Sequence, residues 1–149
     1  MWEKFITFST GRVLIFLCGL TVVLSSRIPS IAASESQIQI SEIMAAAHYA
    51  IADEDGEYSD WIELRNNGGA SVNLLGWRLT DNEAEPGKWV FPAVEIAPGG
   101  YLVVFASGKD RAVPGNTLHT NFNLDQDGEY LALVRPGGTI EDKLVEGAE

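Results

Sequence analysis

The feature that most constrains this chain is a series of short β-prone runs, separated by turn-forming residues about every ten positions. Strong turn signals occur at Pro98-Gly99-Gly100 and at Pro136-Gly137-Gly138. Between them, Tyr101–Ala106 is apolar throughout, which predicts a central strand buried on both faces. No convincing amphipathic helical pattern interrupts the series. The sequence therefore predicts an all-β protein, an antiparallel β-sandwich or barrel.

The stretch Tyr58–Asp81 holds two of these runs, Asp60–Asn66 and Val72–Thr80, and each run carries a tryptophan. The turn-forming residues Asn67-Gly68-Gly69 lie between them. A tight turn between two β-prone runs predicts that they pair as neighbouring strands. Near the end of the second run, apolar and polar residues alternate, which predicts one face in the core and the other in water.

Two further local patterns predict details of strand pairing. The apolar alternation of the first strand slips before Ile43, which predicts a β-bulge. Asp127-Gly128 is the strongest two-residue hairpin signal in the chain. It predicts that Leu118–Leu124 pairs with Tyr130–Arg135.

The N-terminal segment has the pattern of a signal peptide. Two basic residues precede the apolar run Val13–Leu24, which is shorter than the ~20 residues that span a bilayer. Ser30-Ile31-Ala32-Ala33 then places small residues where signal peptidase requires them. We therefore predict a signal peptide over residues 1–33, cleaved after Ala32 or Ala33.

A signal peptide implies that the domain of residues 34–149 is exported. We therefore expect this domain in the periplasm, at the cell surface or in the medium. The alternative is a retained N-terminal membrane anchor, which Arg27, just past the apolar run, favours. Contact with a membrane is expected only through such an uncleaved segment.

Charge and cysteine content exclude several classes of function. The chain has 10 Lys and Arg against 21 Asp and Glu, a net charge of -11, and this field repels phosphate backbones. Nucleic acid is therefore not expected as a partner. The single cysteine, Cys18, lies in the predicted signal. Disulfides, thiolate chemistry and zinc-thiolate sites are thus not expected in the exported domain.

One cluster of acidic residues is a candidate metal site. Asp53, Asp55, Glu57 and Asp60 gather hard oxygen ligands of the kind that calcium prefers, with Asp81 as a further ligand from a neighbouring loop. The spacing is not that of an EF-hand. We expect a solvated acidic surface loop that binds no ion, and so no cofactor; a bound calcium ion is the alternative.

Trp61 is the candidate binding residue. Trp77 and Trp89 are expected in the core, but Trp61 is out of phase with Ile62 and Leu64. If those two side chains face the core, Trp61 faces outward. An exposed indole there would stack on a sugar or anchor a protein partner.

Catalysis has little support in the sequence. His48 and His119 are far apart and lack the spacing of metal ligands, and Ser107 does not lie in a nucleophile elbow. An enzyme would need a cleft that holds one of these histidines against a carboxylate at hydrogen-bonding distance. We therefore expect no enzymatic activity.

Several separate motifs occur in order along the chain and cover about residues 38–145. They are Ile40-Ser41-Glu42-Ile43-Met44-Ala45, Asp60-Trp61-Ile62-Glu63-Leu64, Leu75-Gly76-Trp77-Arg78-Leu79-Thr80-Asp81, Trp89-Val90-Phe91-Pro92, Ala97-Pro98-Gly99-Gly100-Tyr101, and the segment from Leu118-His119-Thr120-Asn121-Phe122 to Gly128-Glu129. Together these motifs resemble the lamin tail domain family, in particular its bacterial exported members.

The resemblance implies an immunoglobulin-like antiparallel β-sandwich that acts as a non-catalytic interaction module. Two departures are the run Ala45-Ala46-Ala47, where a polar residue is expected, and the end of the chain at Glu149, which suggests a truncated or stand-alone version. The expected function is an exported module that binds a protein or surface partner. The alternatives are a calcium-dependent or carbohydrate-binding adhesion domain, and a structural spacer from a larger multidomain surface protein.

Overall fold

The computed structural model of the chain describes residues 37–45, 51–125, 128 and 130–145. All of them belong to one compact unit, Ser34–Glu149. In these ranges there are strands and turns only, and no helix is long and apolar enough to cross a membrane. The predicted signal peptide, His48 and Asp127 lie outside the described residues. The signal peptide therefore stays a prediction.

Within the described ranges, ten strands make up two four-stranded sheets and a two-stranded sheet. The first sheet has the order β1-β2-β7-β8, the second β10-β9-β4-β5, and β3 pairs with β6. All pairs are antiparallel except β7 with β8, which is parallel. The strands are β1 Ile38–Met44, β2 Asp60–Asn66, β3 Val72–Asn73, β4 Arg78–Thr80, β5 Trp89–Val90, β6 Glu95–Ile96, β7 Tyr101–Ala106, β8 Leu118–His119, β9 Tyr130–Val134 and β10 Ile140–Val145.

The core lies between the two larger sheets and follows the alternation of their strands. Ile62 and Leu64 of β2 are fully buried, and Leu131 and Leu133 of β9 are buried from the other sheet. These side chains form one cluster, which also contains Trp77, Trp89, Phe91 and Val104. Burying one face of each sheet against the other is what holds a sandwich together. The all-β prediction is confirmed.

The predicted pairing of Asp60–Asn66 with Val72–Thr80 is wrong. β2 pairs with β1 and β7, while the second run divides into β3 and β4, which lie in two other sheets. A turn divides it: the Trp77 N–H donates to the Leu74 C=O at 2.9 Å, and Gly76 has φ of 77°. This backbone conformation suits glycine, and it redirects the chain to the second sheet.

The other local predictions have mixed outcomes. The predicted bulge is present, because the β1–β2 register shifts between Ile40 and Glu42. The predicted pairing of Leu118–Leu124 with Tyr130–Arg135 is wrong, since β8 pairs with β7 and β9 pairs with β4 and β10.

The edge strands β1 and β10 meet where the two sheets come together. The Gln37 N–H donates to the Glu141 carboxylate at 2.9 Å, and the Ile40 N–H donates to the Asp142 carboxylate at 2.9 Å. Arg135 forms an ion pair with Glu141. Carboxylates of one edge thus satisfy backbone donors of the other, and they close this side of the sandwich.

Candidate functional site

The acidic loop, which we define as Ile51–Tyr58, is an ordered turn. A bridge between Ala52 and Tyr58 forms its base. The Asp53 carboxylate accepts hydrogen bonds from the N–H groups of Asp55 and Glu57, at 2.9 and 3.0 Å. Short acidic side chains commonly hold turns in this way. The loop's backbone is therefore fixed by one of its own carboxylates.

Lys109, in the loop after β7, occupies the centre of the acidic cluster. Its ammonium group lies 2.5 Å from Asp53 Oδ2, 2.8 Å from Asp55 Oδ2 and 2.9 Å from Glu57 Oε2. An ammonium has three donors, and here each faces a different carboxylate. The cation at the centre of this cluster is thus supplied by the chain itself.

These contacts shift the pKa values of Asp53 and Lys109. Burial alone would raise the pKa of Asp53, but the hydrogen bonds from Lys109 and from two backbone N–H groups outweigh it and lower the pKa. Burial would lower the pKa of Lys109, whereas its three carboxylate partners raise it. Asp53 is therefore ionised and Lys109 protonated at neutral pH.

A second set of contacts ties the same loop to β8. Glu54 accepts from Arg111 Nη1 at 2.6 Å and lies 3.0 Å from His119 Nε2. The other ring nitrogen of His119, Nδ1, lies 2.8 Å from Ser107 Oγ. The ring is fully buried and stacks on Phe105, with centroids 5.3 Å apart. The acidic loop is thus held from two sides.

The contacts of Glu54 predict an acid-dependent contribution to stability. The hydrogen bond from His119, with that from Arg111, lowers the pKa of Glu54 from 4.5 to about 2. Glu54 therefore takes up a proton more readily in the unfolded chain, and acid favours unfolding. Its contribution is complete above about pH 4.5 and is lost as the pH falls towards 2.

Denaturant unfolding over that pH window measures this contribution. The variant Glu54→Gln is expected to lose less stability on acidification than the wild-type chain. Glu95→Gln, which removes an exposed carboxylate of β6, is the matched control. Equal acid sensitivity of wild type and Glu54→Gln would contradict the prediction.

The structure also contains the pairing that an enzyme would require, a histidine against a carboxylate. His119 lies between Ser107 and the Glu54 carboxylate, but its ring has no exposed surface on which a ligand could bind. Two N–H groups close after Ser107 are also engaged: that of Gly108 donates to Phe122 O at 3.2 Å, and that of Asp110 to Thr120 O at 3.0 Å. These two N–H groups are therefore not available to bind an oxyanion. The Ser107–His119–Glu54 contacts link β8 to the acidic loop.

A groove of about 560 Å³ opens beside the acidic loop, between the first half of β7 and the chain segment that leads into β8. Its polar rim includes Asp53 and Glu54. Its apolar lining consists of Ile51, Val94, Leu102, Val103, Phe105 and Leu118. This size is in the range of sites that hold small ligands or a few side chains.

The structure brings together three of the four predicted calcium ligands. Oxygen atoms of Asp53, Asp55 and Glu57 lie within 4.8 Å of one another, whereas Asp60 begins β2 and is not in this group. Asp81 instead pairs with Lys88, at 2.5 Å. Calcium takes six to eight oxygen ligands, and an ammonium group already contacts all three carboxylates. The observed arrangement does not fit calcium, because the ion would have to displace Lys109; calcium binding stays a prediction.

The prediction that Trp61 is exposed is wrong. Its side chain does lie opposite Ile62 and Leu64, as the alternation requires, but only 6% of the residue is accessible. The reason is a second apolar cluster on the outer face of the first sheet. Trp61 packs there against Phe105, which faces it in the register, with Met44 and Val103 beside them.

The sequence predictions missed the residues that hold the site together, Lys109, Arg111, Ser107 and His119. One signal was present: Lys109 and Arg111 are a close pair of basic residues in a strongly acidic chain. A segment of that kind is a natural partner for an acidic loop. The sequence did not indicate which acidic segment would face it.

The comparison with protein families gives an assignment. A family model described as Lamin Tail Domain matches residues 31–147, most of the chain. The chain belongs to the lamin tail domain family. A search of curated proteins finds no match. The lamin tail domain is a non-catalytic, immunoglobulin-like β-sandwich, so the family and the fold class predicted from the sequence are confirmed. The bacterial exported type and the signal peptide stay predictions.

Proposed function

We propose that this lamin tail domain is a non-catalytic interaction module, exported from the cell, that binds a protein or surface partner through the groove beside the acidic loop. The observation that carries the proposal is the groove itself. It joins an apolar lining to a rim of ion-paired carboxylates. Apolar concave surfaces with a few fixed polar groups are typical of binding sites.

The ion pairs of the acidic loop order the binding site in advance. Lys109 and Arg111 hold the acidic loop in one arrangement before any partner arrives. A site that is already ordered loses less conformational entropy on association. The ion pairs that Lys109 and Arg111 form with the acidic loop therefore support a binding role.

A structural spacer is one alternative. It predicts buried tryptophans and no concave apolar pocket. The burial of Trp61, Trp77 and Trp89 agrees with the spacer, but the presence of the apolar groove contradicts it. A carbohydrate-binding role predicts an exposed Trp61, which is not observed. Calcium-dependent adhesion has three grouped carboxylates in its favour and the position of Lys109 against it.

Site-specific photo-cross-linking in the exporting cell tests the proposed function. A photoreactive residue at Ile51, in the groove, is compared with one at Val90, on β5 of the other sheet. Both positions are similarly accessible, at 43% and 46%. A discrete cross-linked product is expected at Ile51 and not at Val90. No product at either position, or equal products at both, would contradict a groove-based interaction module.

The proposed export has its own test. The mass of the purified exported chain should correspond to a chain that begins at Ala33 or Ser34. Recovery of the uncleaved chain in the membrane fraction would instead support the retained anchor. Recovery in the cytoplasm would contradict export.

A further inference from the structure

Most edges of the described sheets carry features that prevent another strand from pairing. The β1 edge has a register shift at Ser41, and carboxylates of β10 bind its backbone. β10 itself carries Glu141, Asp142 and Lys143. β5 is only two residues long and is followed by Pro92. Charged residues, bulges and proline are the usual protection of sheet edges.

The first half of β7 lacks this protection. β2 pairs with the whole of β7, but β8 pairs only with Val104 and Phe105. On that side, no strand of the described ranges pairs with Tyr101–Val103. These three residues are Tyr, Leu and Val, with no charge, proline or bulge.

The backbone of this half-strand points towards the open side. The Phe105 C=O accepts from the Thr120 N–H at 2.8 Å, so the backbone groups of Phe105 face β8. In an antiparallel ladder, alternate residues direct their backbone groups to the same side. The N–H and C=O groups of Val103 and Tyr101 therefore also point away from β2. The parallel pairing of Val104 with Leu118 engages the Val103 C=O. The groups that face the groove without a strand partner in the described ranges are thus the Val103 N–H and both backbone groups of Tyr101.

The groove offers apolar contacts on both faces of that edge. Leu102 pairs with the buried Leu64 and so lies on the core side, whereas Val103 lies on the outer face with Trp61 and Phe105. Both Leu102 and Val103 line the groove. Side chains of an added strand alternate between the two faces, and here each face meets an apolar surface.

Charge indicates which kind of chain would bind. Asp53 and Glu54 line the groove. The acidic loop that carries them has four carboxylates, those of Asp53, Glu54, Asp55 and Glu57, which outnumber the cations of Lys109 and Arg111 that pair with them. The whole chain has a net charge of -11. This field attracts basic segments, and it repels a second copy of the same chain.

We infer that an extended, basic segment of a partner protein adds as a strand to the Tyr101–Val103 edge of β7 and places apolar side chains in the groove. Main-chain hydrogen bonds supply affinity in this mode, and the groove supplies selectivity. The inference rests on the proposed function, and it specifies the class of partner and the mode of contact.

Synthetic peptides test the inference on the exported chain by fluorescence anisotropy. A short peptide of valines flanked by lysines should bind. The same peptide N-methylated at its central amides keeps its charge and side chains but cannot form a strand ladder. It should bind about tenfold more weakly or not at all. The same valines flanked by glutamates should not bind. Equal binding of the methylated and unmethylated peptides, or no binding of either, would overturn the inference.

A matched pair of variants locates the contact. Tyr101→Lys adds a positive charge at the open edge, and Val90→Lys adds the same charge on the other sheet; both positions are exposed. Tyr101→Lys should weaken binding of the basic peptide about tenfold, and Val90→Lys should leave it nearly unchanged. Equal loss in both variants would overturn the inference.

Two further results separate this inference from the function it rests on. If Ile51 still cross-links to a partner in the Tyr101→Lys variant at wild-type yield, strand addition fails while the interaction module stands. If light scattering shows a dimer of the wild-type chain that Tyr101→Lys dissociates, the edge binds a second copy, and a basic partner is excluded as its occupant.

Discussion

Replacing Trp61 with alanine is expected to lower the free energy of unfolding by about 3 to 5 kcal/mol. The indole is nearly inaccessible and packs on Phe105, with Met44 and Val103 against it. Removing it deletes a large apolar contact from the outer face of the first sheet and leaves a cavity. Urea unfolding, followed by circular dichroism, measures the loss.

The variant Tyr101→Ala is the matched control for this prediction. Tyr101 is an aromatic residue on the same face of the same sheet, but it is 56% exposed. Its replacement should change the free energy of unfolding by no more than about 0.5 kcal/mol, as is usual at exposed positions. A Trp61→Ala chain as stable as the wild type would contradict the structural role and return Trp61 to the binding role that the sequence predicted.

Replacing Asp53 with alanine should lower the free energy of unfolding by about 2 to 3 kcal/mol, because the carboxylate makes two kinds of contact. It accepts the N–H groups of Asp55 and Glu57, and it pairs with Lys109. Its side chain has no exposed surface, so water does not readily replace these bonds. Denaturant unfolding at neutral pH measures the cost.

Two further variants separate the contribution of the backbone hydrogen bonds of Asp53 from that of its ion pair with Lys109. Asp53→Asn keeps an oxygen for the backbone N–H groups and loses the charge, so it should be less destabilising than Asp53→Ala. Lys109→Met removes the cation and should also destabilise, because three carboxylates then repel one another. If Lys109→Met proved as stable as the wild type, the ammonium would not be what holds the loop.

The fold was predictable where the determinants are local. The β-prone residues of Asp60–Asn66 and the turn-forming residues Pro98-Gly99-Gly100 predicted the correct strand and turn, because both depend on neighbouring residues. Strand partners were not predictable in the same way. A single turn at Leu74–Trp77 moves the chain between sheets, and nothing in the local pattern distinguishes it from a bend within one strand.

The site was predictable only in part, for a related reason. The closeness of Asp53, Asp55 and Glu57 in sequence placed them in one group, and these three lie together in the structure without Asp60. Their partner Lys109 is brought to them by the fold, from a loop far along the chain. The burial of Trp61 likewise depends on Phe105, which reaches it only through strand pairing. Contacts between distant segments decided both outcomes.

Thermal unfolding of the exported chain, with millimolar calcium and then with excess chelator, tests most directly the claim that Lys109 occupies the centre of the acidic loop. A ligand that binds only the folded chain raises the unfolding midpoint by mass action. Because the carboxylates already hold an ammonium group, the two midpoints are expected to coincide. A rise of several degrees with calcium, abolished by replacing Asp53 and Asp55 with asparagine, would contradict the account and make the loop a metal site.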